Sequence, residues 1–147
     1  MMAHVELTRR AALDLAEIEQ YSIERWGRRV ASQYLDAFNQ AVKLLQEHPS
    51  LLRDKDEISQ RFSFYRVERH FLVCAVIEDN IHIVAVLHGS RDLPDLVAEL
   101  EPHLIEEAEL LHRRFLQRLD VKKKKSGRSR PAGNAKSERN SPLFALW

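Results

Sequence analysis

Cysteine is nearly absent: Cys74 is the single one in 147 residues. No disulfide can form within one chain, and a cysteine-based metal cluster is excluded. Glycine is scarce too, with four residues, and there is no Gly-rich loop to cradle a phosphate. No Ser-His-Asp order stands out, and His4, His48, His82, His103 and His112 have no metal-ligand spacing with each other or with Cys74. The expectation is no metal and no cofactor. No apolar run approaches the roughly 20 residues of a membrane span. Residues 1–20 are charged and helical in pattern, with no apolar stretch suited to secretion. A cytoplasmic protein without membrane contact is expected.

Positive charge is missing where a nucleic-acid enzyme would carry it. Residues 1–120 hold 15 Lys and Arg against 21 Asp and Glu, a net of −6. Residues 121–147 hold 8 against 1, a net of +7. The part able to fold is acidic and the tail is basic, the reverse of a domain that grips phosphates through its folded surface.

What the chain does have is apolar surface, 44% of its residues, arranged in two periodicities. Residues 4–8 alternate as a short strand. Thr8 then offers an N-cap for a helix in which Ala11, Leu15, Ile18, Ser22 and Trp26 share one face. Gly27 stops it. A second helix runs from about Arg28 to Glu47 on Ala31, Tyr34, Leu35, Phe38, Ala41, Val42 and Leu45, and His48-Pro49 ends it. So short a link makes the two helices an antiparallel hairpin. Residues 50–59 are polar and irregular. Three apolar runs follow, at 61–68, 70–77 and 81–88, with Glu78-Asp79-Asn80 as a turn between the last two. The middle run is apolar on both faces, as a central strand is. Beyond Asp92 the pattern is helical again, with Pro102 suited to a first turn and Leu104, Ala108, Leu111, Phe115 and Leu119 as a stripe. Glu106, Glu107 and Glu109 near its start and Arg113, Arg114 and Arg118 near its end suit the helix dipole.

The expected fold is α+β: an antiparallel sheet, made of a short N-terminal strand plus a three-stranded meander, packed against an α-helical hairpin. A C-terminal helix and a disordered basic tail follow. Residues 3–98 form the domain, residues 99–120 a helical extension, and residues 121–147 the tail.

This order of elements resembles the RelE/ParE family of toxins from type II toxin–antitoxin modules, nearer the ParE side. The resemblance is carried by the strand at residues 5–7, by Ala12-Leu-Asp-Leu-Ala-Glu-Ile18, by Ala31-Ser-Gln-Tyr-Leu35, and by residues 44–49. Above all it is carried by Val84-Ala-Val-Leu-His-Gly-Ser-Arg-Asp-Leu93, similar to the family's closing strand. The chain departs at Cys74-Ala75, where the family often has Tyr-Arg, and at Ala85, where it often has Arg. The resemblance implies a growth-inhibiting, plasmid-stabilising toxin neutralised by a cognate antitoxin. ParE-like members poison DNA gyrase with no recognised catalytic centre, and RelE-like members cut mRNA on the ribosome. Fold alone does not choose between them.

For the gyrase reading, Arg25, Arg28 and Arg29 at the hairpin tip and Arg91 are the target- or partner-binding candidates. For mRNA cleavage, Arg66, His88 and Arg91 are the catalytic candidates, since a base, an acid and cations for the phosphorane are required. Arg61, Arg69 and His70 lie near them in sequence. The acidic domain and the ordinary solvated role of strand-end Arg and His weigh against an enzyme. Structural roles compete with each candidate. Gly89 lets the chain turn out of its strand, and Arg91 with Asp92 can close that turn. The terminal helix can pack back, pair in a homodimer, or join a toxin–antitoxin hetero-oligomer. The Lys122–Lys125 run is either a weak nucleic-acid contact or a solvated tail. An inactive interaction module is the third reading.

Deleting residues 121–147 is expected to leave Tm nearly unchanged in a thermal melt. A fall of several degrees would show that Leu143-Phe-Ala-Leu-Trp147 docks on the domain.

Overall fold

The computed structural model describes residues 2–124, with side chains to Val121. The expectations for residues 125–147 and for the Lys122–Lys125 side chains lie outside the described residues. Strand β1 (Val5–Leu7) leads into helices α1 (Arg9–Trp26) and α2 (Arg28–Glu47), then a 3-10 turn (Pro49–Leu51). Strands β2 (Arg53–Lys55), β3 (Ser59–Val67), β4 (His70–Ile77) and β5 (Asn80–His88) follow, and helix α3 (Leu93–Lys124) ends the described chain.

The local signals act as their chemistry requires. Thr8 Oγ1 accepts from the Ala11 N–H and donates to Val84 O, so one hydroxyl caps α1 and ties it to the sheet. Gly27 has φ of 91° and serves both helices: its N–H donates to Ile23 O and its carbonyl accepts from Ala31 N–H. A Cβ there would be strained, and the hairpin depends on this residue. Between β4 and β5, Glu78 (φ 52°) and Asp79 (φ 68°) are both left-handed, the geometry of a two-residue hairpin turn matched to strand twist.

The sheet has the order β1-β5-β4-β3-β2, with β4 in the centre. Two details differ from expectation. The sheet is mixed, because β1 lies parallel to β5, pairing Val5 with Ile81 and Leu7 with Ile83. Between β1 and β5 lie two helices and the strands β2, β3 and β4, a connection long enough to cross over and return in the same direction. The segment at 50–59 also contributes the edge strand β2, whose exposed Arg53 and Asp54 carry no apolar alternation to betray it.

One irregularity decides which way β5 faces. Val73 pairs with Ala85 and Cys74 with Ile83, so Val84 is an extra residue, a β-bulge. Ile81 and Ile83 point to the hairpin, Val84 and Ala85 both point to α3, and Val86 points to the hairpin again. The parity of the strand flips at the bulge.

Both faces are filled. On one, Phe38, Leu15, Leu45, Leu72 and Ile83 form a core under the α1–α2 hairpin. On the other, Phe64, Val73, Val84 and Ala85 pack against Leu93, Val97, Leu104 and Ala108 of α3. Cys74 is fully buried, and burial pushes its thiol pKa up. Ala75 and Ala85, two of the positions where the chain departs from the family pattern, are buried beneath α3. Their small side chains make room for that helix.

Helix α3 is continuous from Leu93, with Pro102 inside it rather than at its first turn. Proline there removes one backbone bond, but the buried Leu93 and Val97 before it and Leu104 and Ala108 after it hold both halves on the sheet. The dipole argument changes accordingly. Only Asp95 lies in the first turn, and Glu106, Glu107 and Glu109 are too far along to act on the helix end.

Past Leu7, strand β1 no longer covers the outer edge of β5, and side chains take over. Thr8 N–H donates to Ile83 O, and the Val86 N–H donates to Asp14 Oδ2 at 2.9 Å. Asp14→Ala, which strands that N–H, is expected to cost about 1–3 kcal/mol in urea melts. Asp14→Asn keeps an acceptor oxygen and should recover most of it. An alanine variant as stable as the parent would refute the tie.

Candidate functional site

Beyond Thr8, α1 and the outer edge of β5 enclose a groove of about 900 Å³. Val86, Leu87 and His88 line its β5 side, His70 lies beside them, and the wall comes from α1 and the start of α2. Two aromatics face it from the end of α1. Tyr21 and Trp26 are 56% and 50% exposed and meet edge to face, with ring centroids 6.0 Å apart. Trp26 ends the apolar stripe of α1, yet it is exposed on the groove rather than placed in the core. Arg10, Arg25 and Arg69 also line it, beside Asp14 and Glu17. Arg10 is bound to Asp14 at 3.2 Å, whereas Arg25 and Arg69 form no ion pair among the described residues. Exposed aromatics beside uncommitted guanidiniums are the composition of a protein-binding surface.

The bulge makes this site. Without it His88 would share the α3 face with His82; with it, His88 turns into the groove opposite His70, ring centroids 5.3 Å apart. The Tyr34 hydroxyl lies 2.8 Å from His70 Nδ1. Burial, reinforced by the charge of His88, pushes the His70 pKa down to about 4. A neutral imidazole accepting the Tyr34 O–H at Nδ1 carries its proton on Nε2. Burial raises the Tyr34 pKa, which suits it as a donor. Burial also raises the Asp14 pKa, against the opposing pull of the Val86 N–H and Arg10.

The residues singled out in the sequence are only partly gathered here. Arg25 and His88 line the groove. Arg28 and Arg29 are exposed on the first turn of α2, at the hairpin tip and not among the lining residues. Arg91 is exposed in the link to α3. It forms no ion pair with Asp92; backbone bonds close the turn instead, from Gly89 N–H to Arg69 O and from Ser90 N–H to His88 O. Gly89 is needed there because a Cβ would meet Phe71 Cε2 at 2.9 Å. Arg66 lies over the Phe71 ring and donates to Glu68 O. Phe71 belongs to the core under α3, so Arg66 and His88 stand on opposite faces of the sheet. Sequence reasoning missed Tyr21, Tyr34 and Asp14 as groove residues. The one available signal was an aromatic, Trp26, placed directly before the helix-ending Gly27.

A second polar cluster lies on the other face, where α3 crosses β5 and β1. Glu78 Oε1 lies 3.1 Å from His112 Nε2, and His112 Nδ1 lies 3.1 Å from the buried His82 Nε2. Beside them His4 stacks on Phe115 at 4.2 Å, and Arg118 pairs with Glu6. Burial, with the charge of His112, pushes His82 down to about 4. Among the described residues no group of three or more His, Cys, Asp or Glu could hold a metal ion. No helix of the described residues is long and apolar enough to cross a membrane.

Comparison with known proteins fits this architecture. The profile of the ParE toxin of type II toxin-antitoxin systems (parDE) matches residues 5–93. The chain belongs to the ParE toxin family. Toxin ParE1 of Caulobacter vibrioides is 28% identical over 91 residues, spanning 62% of this chain and 94% of that protein. A solved structure described as the chromosomal ParDE TA system from P. aeruginosa matches with a TM-score of 0.54 at 20% identity. It covers 60% of this chain and 98% of that one, and shares the fold.

The two depressed histidines make stability depend on pH. In the unfolded chain both titrate near the ordinary 6.5, and in the fold at about 4. Between those values the unfolded chain binds more protons, so stability present above about pH 6.5 is lost as pH falls towards about 4. Asp14, with its pKa raised, acts in the opposite sense at the acid end of that range. Tm should therefore fall between about pH 7.5 and about pH 5, and His82→Gln should flatten the slope. A Tm constant over that range would contradict the burial of these rings.

Proposed function

We propose that this ParE-family chain inhibits growth by binding and poisoning DNA gyrase, and that a cognate antitoxin neutralises it by seating a segment in the groove beside β5. Membership of the family over residues 5–93 carries this reading. The groove supports the second half of it: Tyr21 and Trp26 offer apolar anchorage, and Arg25 and Arg69 offer uncommitted charge for an acidic partner segment. The hairpin tip, with Arg28 and Arg29 beside Arg25, is the surface for the target. The protein acts in the cytoplasm.

The absence of an enzyme step is part of the proposal. An mRNA endonuclease built from Arg66, His88 and Arg91 would need the first two on one face, and they stand on opposite faces. Helix α3 lies over Ala75 and Ala85, two positions where the family often carries Arg. The acidic folded body also disfavours a ribosomal RNA platform.

Purified protein incubated with gyrase, plasmid DNA and ATP is expected to abolish supercoiling and to accumulate linear DNA. Arg25→Glu should weaken the effect at least tenfold while leaving Tm unchanged. Unimpaired supercoiling with folded protein would sink the gyrase reading. Cleavage of mRNA on translating ribosomes would replace it with the nuclease.

A further inference from the structure

Charge along α3 is segregated. From Leu93 to His112 the helix carries Asp95, Glu99, Glu101, Glu106, Glu107 and Glu109 and no Lys or Arg. From Arg113 to Lys124 it carries Arg113, Arg114, Arg118, Lys122, Lys123 and Lys124 against Asp120 alone. The change coincides with a change in packing. Leu104, Ala108 and His112 are buried on the sheet, whereas beyond His112 only Phe115 is half-buried and every other described side chain is exposed.

The basic half is nevertheless held in a fixed direction. His112 bonds to His82 and Glu78, Phe115 stacks on His4, and Arg118 pairs with Glu6. These contacts occupy the inner side of the helix over one turn and a half. Arg113 and Arg114, in the same stretch, form no ion pair among the described residues. The result is a cationic rod about 18 Å long at 1.5 Å per residue, anchored at its root on an acidic body.

We propose that residues 113–124 of α3 are a duplex-DNA contact, an arm that neutralises backbone phosphates without reading sequence. Its charge is complementary to a polyanion, and the acidic body confines the contact to the arm. The major groove is also wide enough to admit an α-helix. A lipid surface fits less well. An interfacial helix needs a broad free apolar face, but Phe115 is turned to the sheet, which leaves Leu116, Leu119 and Val121 as the exposed apolar side chains of the arm, interspersed with charged residues. The contact goes beyond the toxin reading and does not depend on it.

Fluorescence anisotropy of a labelled duplex of arbitrary sequence, titrated with the full chain, tests the proposal. With about four phosphates neutralised, affinity should fall roughly 100-fold between about 50 and about 200 mM salt. Arg113→Glu with Arg114→Glu and Lys122→Glu should abolish binding at the lower salt without changing Tm. Lys43→Glu, on the body, should change it less than twofold. If the charge-reversed protein does not fold, Arg113→Gln with Arg114→Gln must still weaken binding at least fivefold. No binding at low salt overturns the proposal, as does wild-type affinity in the variants. So does tighter capture by anionic vesicles or single-stranded RNA than by duplex.

Discussion

The hydrogen bond from the Val86 N–H to Asp14 Oδ2 joins three parts of the structure that would otherwise be independent. It satisfies a strand-edge donor that the short β1 does not reach, it fixes α1 against the sheet, and it lies directly after the bulge at Val84 and Ala85. A buried donor left without an acceptor is costly, so helix position and bulge are coupled through one carboxylate. The groove depends on the same contact. Asp14 lies in its wall, and the flipped parity after the bulge turns Val86 and His88 into it. The core under the hairpin then fills in around this frame, with Phe38 and Leu15 sealed between α1, α2 and the sheet.

The elements were legible wherever a single residue type has a strong local effect. Thr8 caps, Gly27 turns, and His48-Pro49 stops a helix, and all three boundaries stand where the residues put them. The apolar faces of β4 marked the centre of the sheet for the same local reason. Three things lay outside such signals. Strand β2 is held by pairing with β3, and its own residues have no strand character. The parallel placement of β1 is a property of the whole topology. Pro102 misleads because its local preference is overridden by packing on both sides of it, with Leu104 and Ala108 sealing α3 to the sheet.

The site was less legible than the fold, for a specific reason. Arg25 and His88 could be named from the sequence, but a strand read by strict alternation assigns His88 to the wrong face. A bulge is invisible to a period-two pattern when all its residues are apolar, and Val84-Ala-Val86 is such a run. The pairing of His70 with His88 follows only once the register is known. Tyr34 belongs to the apolar stripe of α2, and nothing in that stripe marks the one residue whose hydroxyl meets a ring nitrogen.

The segregation of charge makes the net value of +1 a poor description of the molecule. Residues 1–112 hold 12 Lys and Arg against 20 Asp and Glu, and residues 113–147 hold 11 against 2. Within the described residues alone, a body of net −8 is joined to a helical end, residues 113–124, of net +5, and unlike ends of neighbouring molecules attract. At low ionic strength, where the screening length grows to about 30 Å, this polarity favours head-to-tail association of the acidic body of one chain with the basic end of another. The same polarity lets one protein adhere to both anion- and cation-exchange resins near neutral pH, each resin holding it by a different end.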